Sequence, residues 1–412
     1  MSSELGGGLC PPSETSPREP GCAGEAGARS GEPNGWRRTL CPYCGVGCGL
    51  LVQVRDGAVR RVKGDPDHPS SAGDVCAKAV HLPPALRTPD RLLYPQVRAR
   101  RDAEPARVPW ELAARFAADR LREIVAAHGP DAVAFYGSGQ LLTEEYYVAS
   151  KLAKGFLGTN NFDTNSRLCM ASAAAGYARS LGSDGPPGTY ADIETADCFF
   201  LIGTNTADCH PVTWKRIRRR KLAAPEDVAV IVADPRWTET ADIADLHLPL
   251  KPGSDIALLN AMLHVLWKEG QLDQDFLAEH TGGWPGLKAA IERYPPARAA
   301  ALTGLSAEII VETARRFGRA RAAMTLWSMG INQSHVGTDK NVAILNLHLA
   351  TGQIGRPGAG PFTSSPRSVA ASTSRLPGRK RRSTAAASMY RGSTVRLPGP
   401  SMQPQLPEPF RW

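Results

Sequence analysis

The stretch Cys198-Phe199-Phe200-Leu201-Ile202-Gly203-Thr204-Asn205 decides the fold. Its five apolar residues read as a short β-strand that runs into a small, polar loop, and a helical pattern follows over Trp214 to Leu222. The same unit recurs along the chain. Ala132 to Tyr136 predicts a strand ending in Gly137-Ser138-Gly139 and feeding a helix from about Thr143 to Phe156. Val228 to Val232 predicts a third strand, ending at Asp234-Pro235-Arg236, and Ala323 to Trp327 another, ending at Met329-Gly330. Strand and helix alternate in this way between Leu40 and Thr363, the pattern of an α/β fold with a doubly wound, mainly parallel sheet. Such sheets bind ligands at the carboxyl ends of their strands, where the unpaired N–H groups of the next helix attract phosphate. None of these loops has the G-x-G-x-x-G or G-x-x-x-x-G-K-[ST] spacing, so simple NAD and P-loop ATP sites lack their fingerprints.

The 412 residues carry 49 Lys+Arg against 40 Asp+Glu, a formal net charge of +9, with 42% hydrophobic residues. That length supports one large or two medium domains, and no apolar run approaches the roughly 18–20 residues of a membrane-spanning helix. The charge is unevenly placed. Residues 364–412 hold nine basic residues against Glu408 alone, a balance of +8, which leaves +1 for residues 1–363. After Phe362 hydrophobic period disappears, and 364–412 reads as a basic, disordered tail. It suits either a polyanion-binding extension or an out-of-frame product of GC-rich coding DNA; the scarcity of clustered basic residues favours the second and makes nucleic acid an unlikely partner. Residues 1–36 read as a disordered leader. Arg37-Arg38 is followed by Cys41 rather than by an apolar run, so no export signal is expected and the cytoplasm is the expected location.

The strongest local signal is Cys41-Pro42-Tyr43-Cys44-Gly45-Val46-Gly47-Cys48, followed by Cys76 in Gly73-Asp74-Val75-Cys76-Ala77-Lys78. Three closely spaced thiols with intervening glycines can wrap one side of a metal cluster, and a distant fourth can close it. Structural zinc also takes four cysteines, usually as two separated C-x-x-C knuckles, so the spacing favours an iron–sulfur cluster. A disulfide framework ranks third.

These residues, together with Asp163-Thr164-Asn165-Ser166-Arg167-Leu168-Cys169-Met170-Ala171-Ser172-Ala173, resemble the catalytic subunits of prokaryotic molybdopterin oxidoreductases, and within them the assimilatory nitrate reductases. The resemblance runs from about Leu40 to Phe362 and includes Gly139 to Glu144, Gly203 to Asn205, Cys209-His210-Pro211 and Trp327 to Gln333. It implies a small iron–sulfur domain over 37–95 and a partial molybdopterin-binding α/β region over 96–363. It implies that Cys41, Cys44, Cys48 and Cys76 hold a [4Fe-4S] cluster and that Cys169 is the thiolate ligand of molybdenum in a Mo-bis(molybdopterin guanine dinucleotide). A helix start at Cys169 would lower its pKa and favour that thiolate.

By the same resemblance Lys78 lies between cluster and pterin. Gln140, Asn165, Gly203, Asn205, His210, Asp234, Asp255, Met329 and Gln333 fall at positions resembling cofactor contacts, although each also reads as a loop cap or turn residue. Arg167 is a candidate for attracting nitrate. Cys198 reads as core, and Cys209 stays open.

The implied activity is the two-electron reduction of nitrate to nitrite, with ferredoxin, flavodoxin or an NADH-linked flavoprotein as electron donor. Formate oxidation on the same fold is the nearest alternative; formate dehydrogenases usually place His after the metal-ligating residue, whereas Met170 follows here. Members of the family continue well beyond the position of Phe362. A truncated cluster-binding product with weak or no activity, or a basic-tail nucleic-acid binder, is therefore the alternative from another class.

Overall fold

The computed structural model describes residues 35–139, 141–363 and 395–396. Cys198–Ile202 forms the expected strand and is buried along its whole length. Side chains alternate across it, so Phe199 and Leu201 enter one hydrophobic cluster while Cys198, Phe200 and Ile202 enter another. Both faces are covered, which is why this strand is an unbroken apolar run rather than an alternating one.

In chain order we label the strands β1 (Gly35–Leu40), β2 (Gly49–Arg55), β3 (Ala58–Gly64), β4 (Phe135–Gly137), β5 (Phe162–Thr164), β6 (Cys198–Ile202), β7 (Ala229–Ala233), β8 (Leu246–Leu248), β9 (Ala323–Trp327) and β10 (Gly360–Thr363). Five of them form a parallel sheet in the order β8-β7-β6-β9-β10. The chain leaves β6 towards β7 and β8, then returns to lay β9 on the opposite side of β6. The switch point therefore lies between β6 and β9, whose following loops flank a crevice at the carboxyl edge.

Those two loops touch backbone to backbone. The amide of Gly330 donates to the carbonyl of Gly203 at 3.0 Å. A Cβ on Gly330 would stand 2.7 Å from the Cα of Gly203, and Gly203 itself has φ +58°. Only glycine permits both the approach and the left-handed backbone.

The first three strands form a separate antiparallel sheet in the order β1-β2-β3. Asp56 and Gly57, both at positive φ, make the tight turn joining β2 to β3. One face of this sheet packs Leu50 and Val52 against Ala79. A short parallel pair, β4 with β5, carries the segment leading to Cys169.

The expected strand at Ala132 begins later, at Phe135. Pro130–Ala132 instead closes a 3-10 turn, with Val133 N–H donating to the Pro130 carbonyl at 3.1 Å, and β5 offers only Phe162–Thr164 for pairing. The helix expected to Phe156 is α-helical over Thr143–Ser150 and widens into a π-helix over Lys151–Leu157. Val228 stays outside β7 because its N–H donates to the Ala224 carbonyl at the end of the preceding helix. Of the expected disordered leader 1–36, residues 1–34 lie outside the described residues, while Gly35 and Trp36 are corrected to the start of β1, where they pair with Val54 and Gln53; most of the expected basic tail also lies outside the described residues, and Val395–Arg396 pairs in parallel with Thr281–Gly282. No helix among the described residues is long and apolar enough to cross a membrane.

Candidate functional site

The cysteine loop 41–48 is the connection between β1 and β2. It closes on itself through Cys41 N–H donating to the Cys48 carbonyl at 2.9 Å and Gly47 N–H donating to the Cys44 carbonyl at 3.3 Å, with Gly47 at φ +62°. A second loop, 65–76, packs beneath it. The Ser70 hydroxyl donates to the Gly47 carbonyl at 2.8 Å, and the Ser71 hydroxyl accepts from Gly49 N–H at 3.2 Å. The approach leaves no room for side chains, since a Cβ on Gly64 would stand 1.9 Å from the Gly73 carbonyl oxygen. This second loop delivers Cys76 to the start of helix α1 (Ala77–Val80).

Cys41, Cys44, Cys48 and Cys76 thus come together from two loops. Cys41 and Cys44 each feel the charge of Cys76 and of Lys78, and Cys48 feels the other three cysteines. Burial pushes the Cys41, Cys44 and Cys48 thiols above their ordinary pKa, Cys48 to about 12, and neighbouring thiols push further in the same direction. Three such groups are costly as bare thiolates, and a cationic centre that replaces their protons relieves the cost. Among the described residues no three Cys, His, Asp or Glu side chains stand close enough together for a single metal ion. All seven described cysteines are free thiols.

The cysteine loop rests on the α/β domain. Val46 and Cys48 belong to the same buried cluster as Phe199, Leu201 and Tyr190, and Cys41, Cys44 and Cys76 pack against it. We label the helices after β6 as α2 (Thr206–Cys209) and α3 (Pro211–Ala223). Arg216 on α3 is 7% exposed and donates to the carbonyls of Pro69 at 3.0 Å and Ser70 at 2.8 Å. Its remaining donors grip Glu194 in a two-point pair at 2.8 Å each. Lys215 and Arg219 add contacts to the Val75 carbonyl and the Asp74 carboxylate, both at 2.9 Å. Arg216, Glu194 and the two serines escaped the sequence reading because Arg216 sits in a basic helix. The signal was available: Val212, Thr213, Arg216 and Ile217 share the helical period of a buried face.

Lys78 connects this centre to the strand-end crevice, because its charge reaches Cys41, Cys44 and His210. His210 follows α2, is 5% exposed, and its Nδ1 has no hydrogen-bond partner. Burial first, then the Lys78 charge, lowers its pKa to about 4, so the ring is neutral near pH 7. A buried, unsatisfied ring nitrogen is costly and suits a site that takes a polar ligand.

Cys169 ends a single helical turn, Ser166–Cys169. Its amide donates to the Asn165 carbonyl at 3.1 Å, and the Asn165 side chain accepts from Gly139 N–H at 2.5 Å, tying the two strand-end loops of β4 and β5 together. The Gln333 side chain, from the loop after β9, hydrogen-bonds the Cys169 thiol. Behind it Asn341 accepts from Trp327 Nε1 at 2.7 Å and donates to Asn332 Oδ1 at 2.9 Å, while Asn332 reaches the Met170 sulfur at 3.7 Å. The expected lowering of the Cys169 pKa is corrected here. Burial raises it, and the Gln333 hydrogen bond offsets only part of that.

The other expected contacts are engaged within the chain. Asn205 donates to Asp208 at 2.6 Å and accepts from Thr240 at 3.0 Å. Asp234 caps its own turn by accepting from Arg236 N–H at 3.0 Å. Asp255 is buried in an ion pair with Lys340 at 2.7 Å. Arg167 forms an exposed pair with Asp163 at 3.1 Å. Met329 stands half-buried beside Gly330 in the crevice, and Gln140 lies outside the described residues. Cys198 is fully buried, as expected of a core residue, and Cys209 is half-buried within electrostatic reach of Cys44.

Comparison with known proteins agrees with this arrangement. Residues 35–83 match the family described as molybdopterin oxidoreductase Fe4S4 domain, and residues 91–398 match molybdopterin oxidoreductase. A nitrate reductase of Synechocystis sp. is 47% identical over 333 residues, which cover 79% of this chain and 46% of that protein. A periplasmic nitrate reductase of Desulfovibrio desulfuricans is 45% identical, covering 82% of this chain and 45% of its own length. An F420-dependent formate dehydrogenase subunit of Methanococcus maripaludis is 38% identical, covering 78% and 46%. The chain thus spans just under half the length of these curated relatives. Among solved structures, acetylene hydratase from Pelobacter acetylenicus shares the fold with a TM-score of 0.70 at 24% identity, covering 79% of this chain and 44% of that one. The two matched domains are those that take a [4Fe-4S] cluster and a molybdenum–molybdopterin cofactor, and the four-thiol cage, the glycine contact at the crevice and the unsatisfied His210 nitrogen fit those groups. The chain belongs to the molybdopterin oxidoreductase family.

Proposed function

We propose that this chain is the cluster- and cofactor-binding portion of a nitrate reductase. The observation that carries the reading is the pairing of Cys169 with Gln333 at the switch point of the sheet, in a chain whose nitrate reductase relatives are 45–47% identical while the formate dehydrogenase subunit stands at 38%. Cys41, Cys44, Cys48 and Cys76 would hold the [4Fe-4S] cluster, and Cys169 the molybdenum of a bis(molybdopterin guanine dinucleotide) cofactor. That cofactor, when bound, supplies the redox chemistry that takes nitrate to nitrite.

The residues of the chain supply the setting. Lys78 places a positive charge between the cysteine cage and the crevice. Neutral His210 offers its Nδ1 to the cofactor, and Gly203 and Gly330 let that group approach backbone amides at the strand ends. Gln333 orients the Cys169 sulfur, and Asn165 fixes the turn that carries it. Arg167 contributes positive potential at the rim, shared with Asp163. Asn205, Asp234, Asp255 and Met329 shape the crevice walls. We assign residues 37–95 to the cluster domain and 96–363 to the cofactor domain. Arg37 and Arg38 lie within β1, which supports a cytoplasmic site of action.

Iron- and molybdenum-loaded full-length chain, supplied with reduced viologen, should consume nitrate and form nitrite in equal amounts. Formate-dependent dye reduction without nitrate turnover would replace this reading with formate oxidation.

A further inference from the structure

A histidine that the cysteine cage does not itself use lies beneath it. His68 is half-buried in the loop 65–76, where its N–H donates to the Asp65 carbonyl at 3.2 Å and its carbonyl accepts from Ala72 N–H at 2.8 Å. Its side chain packs against the Gly49 backbone. A Cβ on Gly49 would stand 2.3 Å from both Cβ and Cγ of His68, so only glycine leaves the ring room.

The hydrogen bonds fix the tautomer of this ring. His68 Nδ1 stands 2.9 Å from the Ser70 hydroxyl, and that hydroxyl donates to the Gly47 carbonyl at 2.8 Å. A carbonyl oxygen only accepts, and a hydroxyl has a single proton to give. Ser70 is fully buried, so its proton is committed to Gly47 and its oxygen accepts from Nδ1–H. Donation therefore runs one way, from His68 to Ser70 to Gly47.

This relay ends on a peptide unit that meets a thiol. The peptide group is planar, so the Gly47 carbonyl and the Cys48 N–H turn together. That N–H donates to the Cys48 sulfur, as Tyr43 N–H does to Cys41 and Val46 N–H to Cys44. A hydroxyl bonded to the carbonyl holds the plane in place and draws electron density from it, which strengthens the N–H on the far side as a donor.

We propose that His68 is a positioning residue for the cluster: through Ser70 it sets the Gly47–Cys48 peptide, the N–H···S bond at Cys48 and the potential at which the centre is reduced. The proposal rests on the iron–sulfur reading of loop 41–48. Hydrogen bonds to cluster sulfur favour the more negative, reduced centre and so raise its potential.

Two substitutions separate the donor from the bulk of the ring. His68→Leu fills the space without a donor, whereas the side-chain amide of His68→Asn falls where Nδ1 stood and restores one. The first readout is hydrogen exchange at the Cys48 amide in iron-free, full-length protein labelled at the cysteine nitrogens. Exchange should be at least about threefold faster in His68→Leu and return to the parent rate in His68→Asn. The second is the midpoint potential of the reconstituted centre. His68→Leu should disfavour reduction about threefold, roughly 30 mV for one electron, and His68→Asn should not. Ser70→Ala removes the middle of the relay and should reproduce both changes, with His68→Leu adding nothing to it. Nitrogen NMR of the His68 ring tests the tautomer in the unsubstituted chain, where a proton on Nδ1 is expected and a bare Nδ1 would overturn the proposal. Exchange and potential unchanged in His68→Leu that melts like the parent would also overturn it, as would effects that His68→Asn fails to restore. The exchange and tautomer readouts need no iron. An intact relay in a chain that takes up no iron therefore counts against the cluster reading alone, and a loaded centre whose potential ignores His68 counts against the proposal alone.

Discussion

Arg216 donates to the carbonyl of Ser70 at 2.8 Å, and through that contact the α/β domain holds the cysteine loop. The chain of bonds continues from the Ser70 hydroxyl to the Gly47 carbonyl and from Gly49 N–H to the Ser71 hydroxyl. Replacing Arg216 with alanine removes four donors at once and leaves the buried Ser70 carbonyl and the partly buried Pro69 carbonyl without this partner. We expect a loss of roughly 1–3 kcal/mol, held down because Glu194 is half-exposed and rehydrates. Lysine cannot reproduce the two-point grip and should recover only part of the loss. The specific readout is alkylation of the cysteine thiols in iron-free protein, which should become faster in Arg216→Ala. Unaltered thiol reactivity would mean that the loop holds its own shape.

The glycine contact between Gly203 and Gly330 makes a sharper prediction. Gly330→Ala forces a methyl group to within 2.7 Å of the Gly203 backbone, and Gly203→Ala also places a side chain at φ +58°. Each should cost roughly 1–3 kcal/mol, seen as a lower thermal midpoint. Gly270→Ala, at a similar φ but with open space around it, should cost less than either.

His348 sets a pH dependence. It is fully buried, bonded to Gln353 and Thr325, and burial lowers its pKa from 6.5 to about 4. The folded state resists protonation that the unfolded chain accepts. Its contribution is therefore complete above about pH 6.5 and is lost as pH falls towards 4, amounting to roughly 3 kcal/mol. Chemical denaturation at a series of pH values should show stability falling across that window. In His348→Gln the same series should be flatter, and an equally steep slope would assign the effect to other groups.

The cysteines separate by role. Cys169→Ser should lose molybdenum while retaining iron, and Cys76→Ser should lose iron. Cys198→Ala should retain both and lose about 1 kcal/mol of stability through the small cavity left in the core. Elemental analysis of the purified variants checks all three, and parallel loss of iron and molybdenum in Cys169→Ser would contradict the assignment.

The sheet was legible because its strands are buried on both faces, which leaves them as continuous apolar runs bounded by loops; Cys198–Ile202 and Ala323–Trp327 coincide with their sequence readings residue for residue. The pair β4-β5 was less legible, since Pro130 and a three-residue partner strand shorten it, and no local pattern reports what a distant strand offers. The cysteine spacing announced the cage, but not the support beneath it. Ser70, Ser71, Glu194 and Arg216 act through contacts between residues far apart in sequence. The crevice residues divide for the same reason: His210 keeps a buried nitrogen unsatisfied, whereas Asp255 is taken up by Lys340, a partner that no local motif reveals.

On the function proposed above, two loops, 41–48 and 65–76, build one iron–sulfur site. Iron and acid-labile sulfide, counted per chain after anaerobic reconstitution of the full-length protein, test it most directly, with Mössbauer spectra to identify the centre. About four irons and four sulfides per chain are expected, with both lost in Cys41→Ser. One tightly bound zinc per chain, with no iron retained, would contradict it.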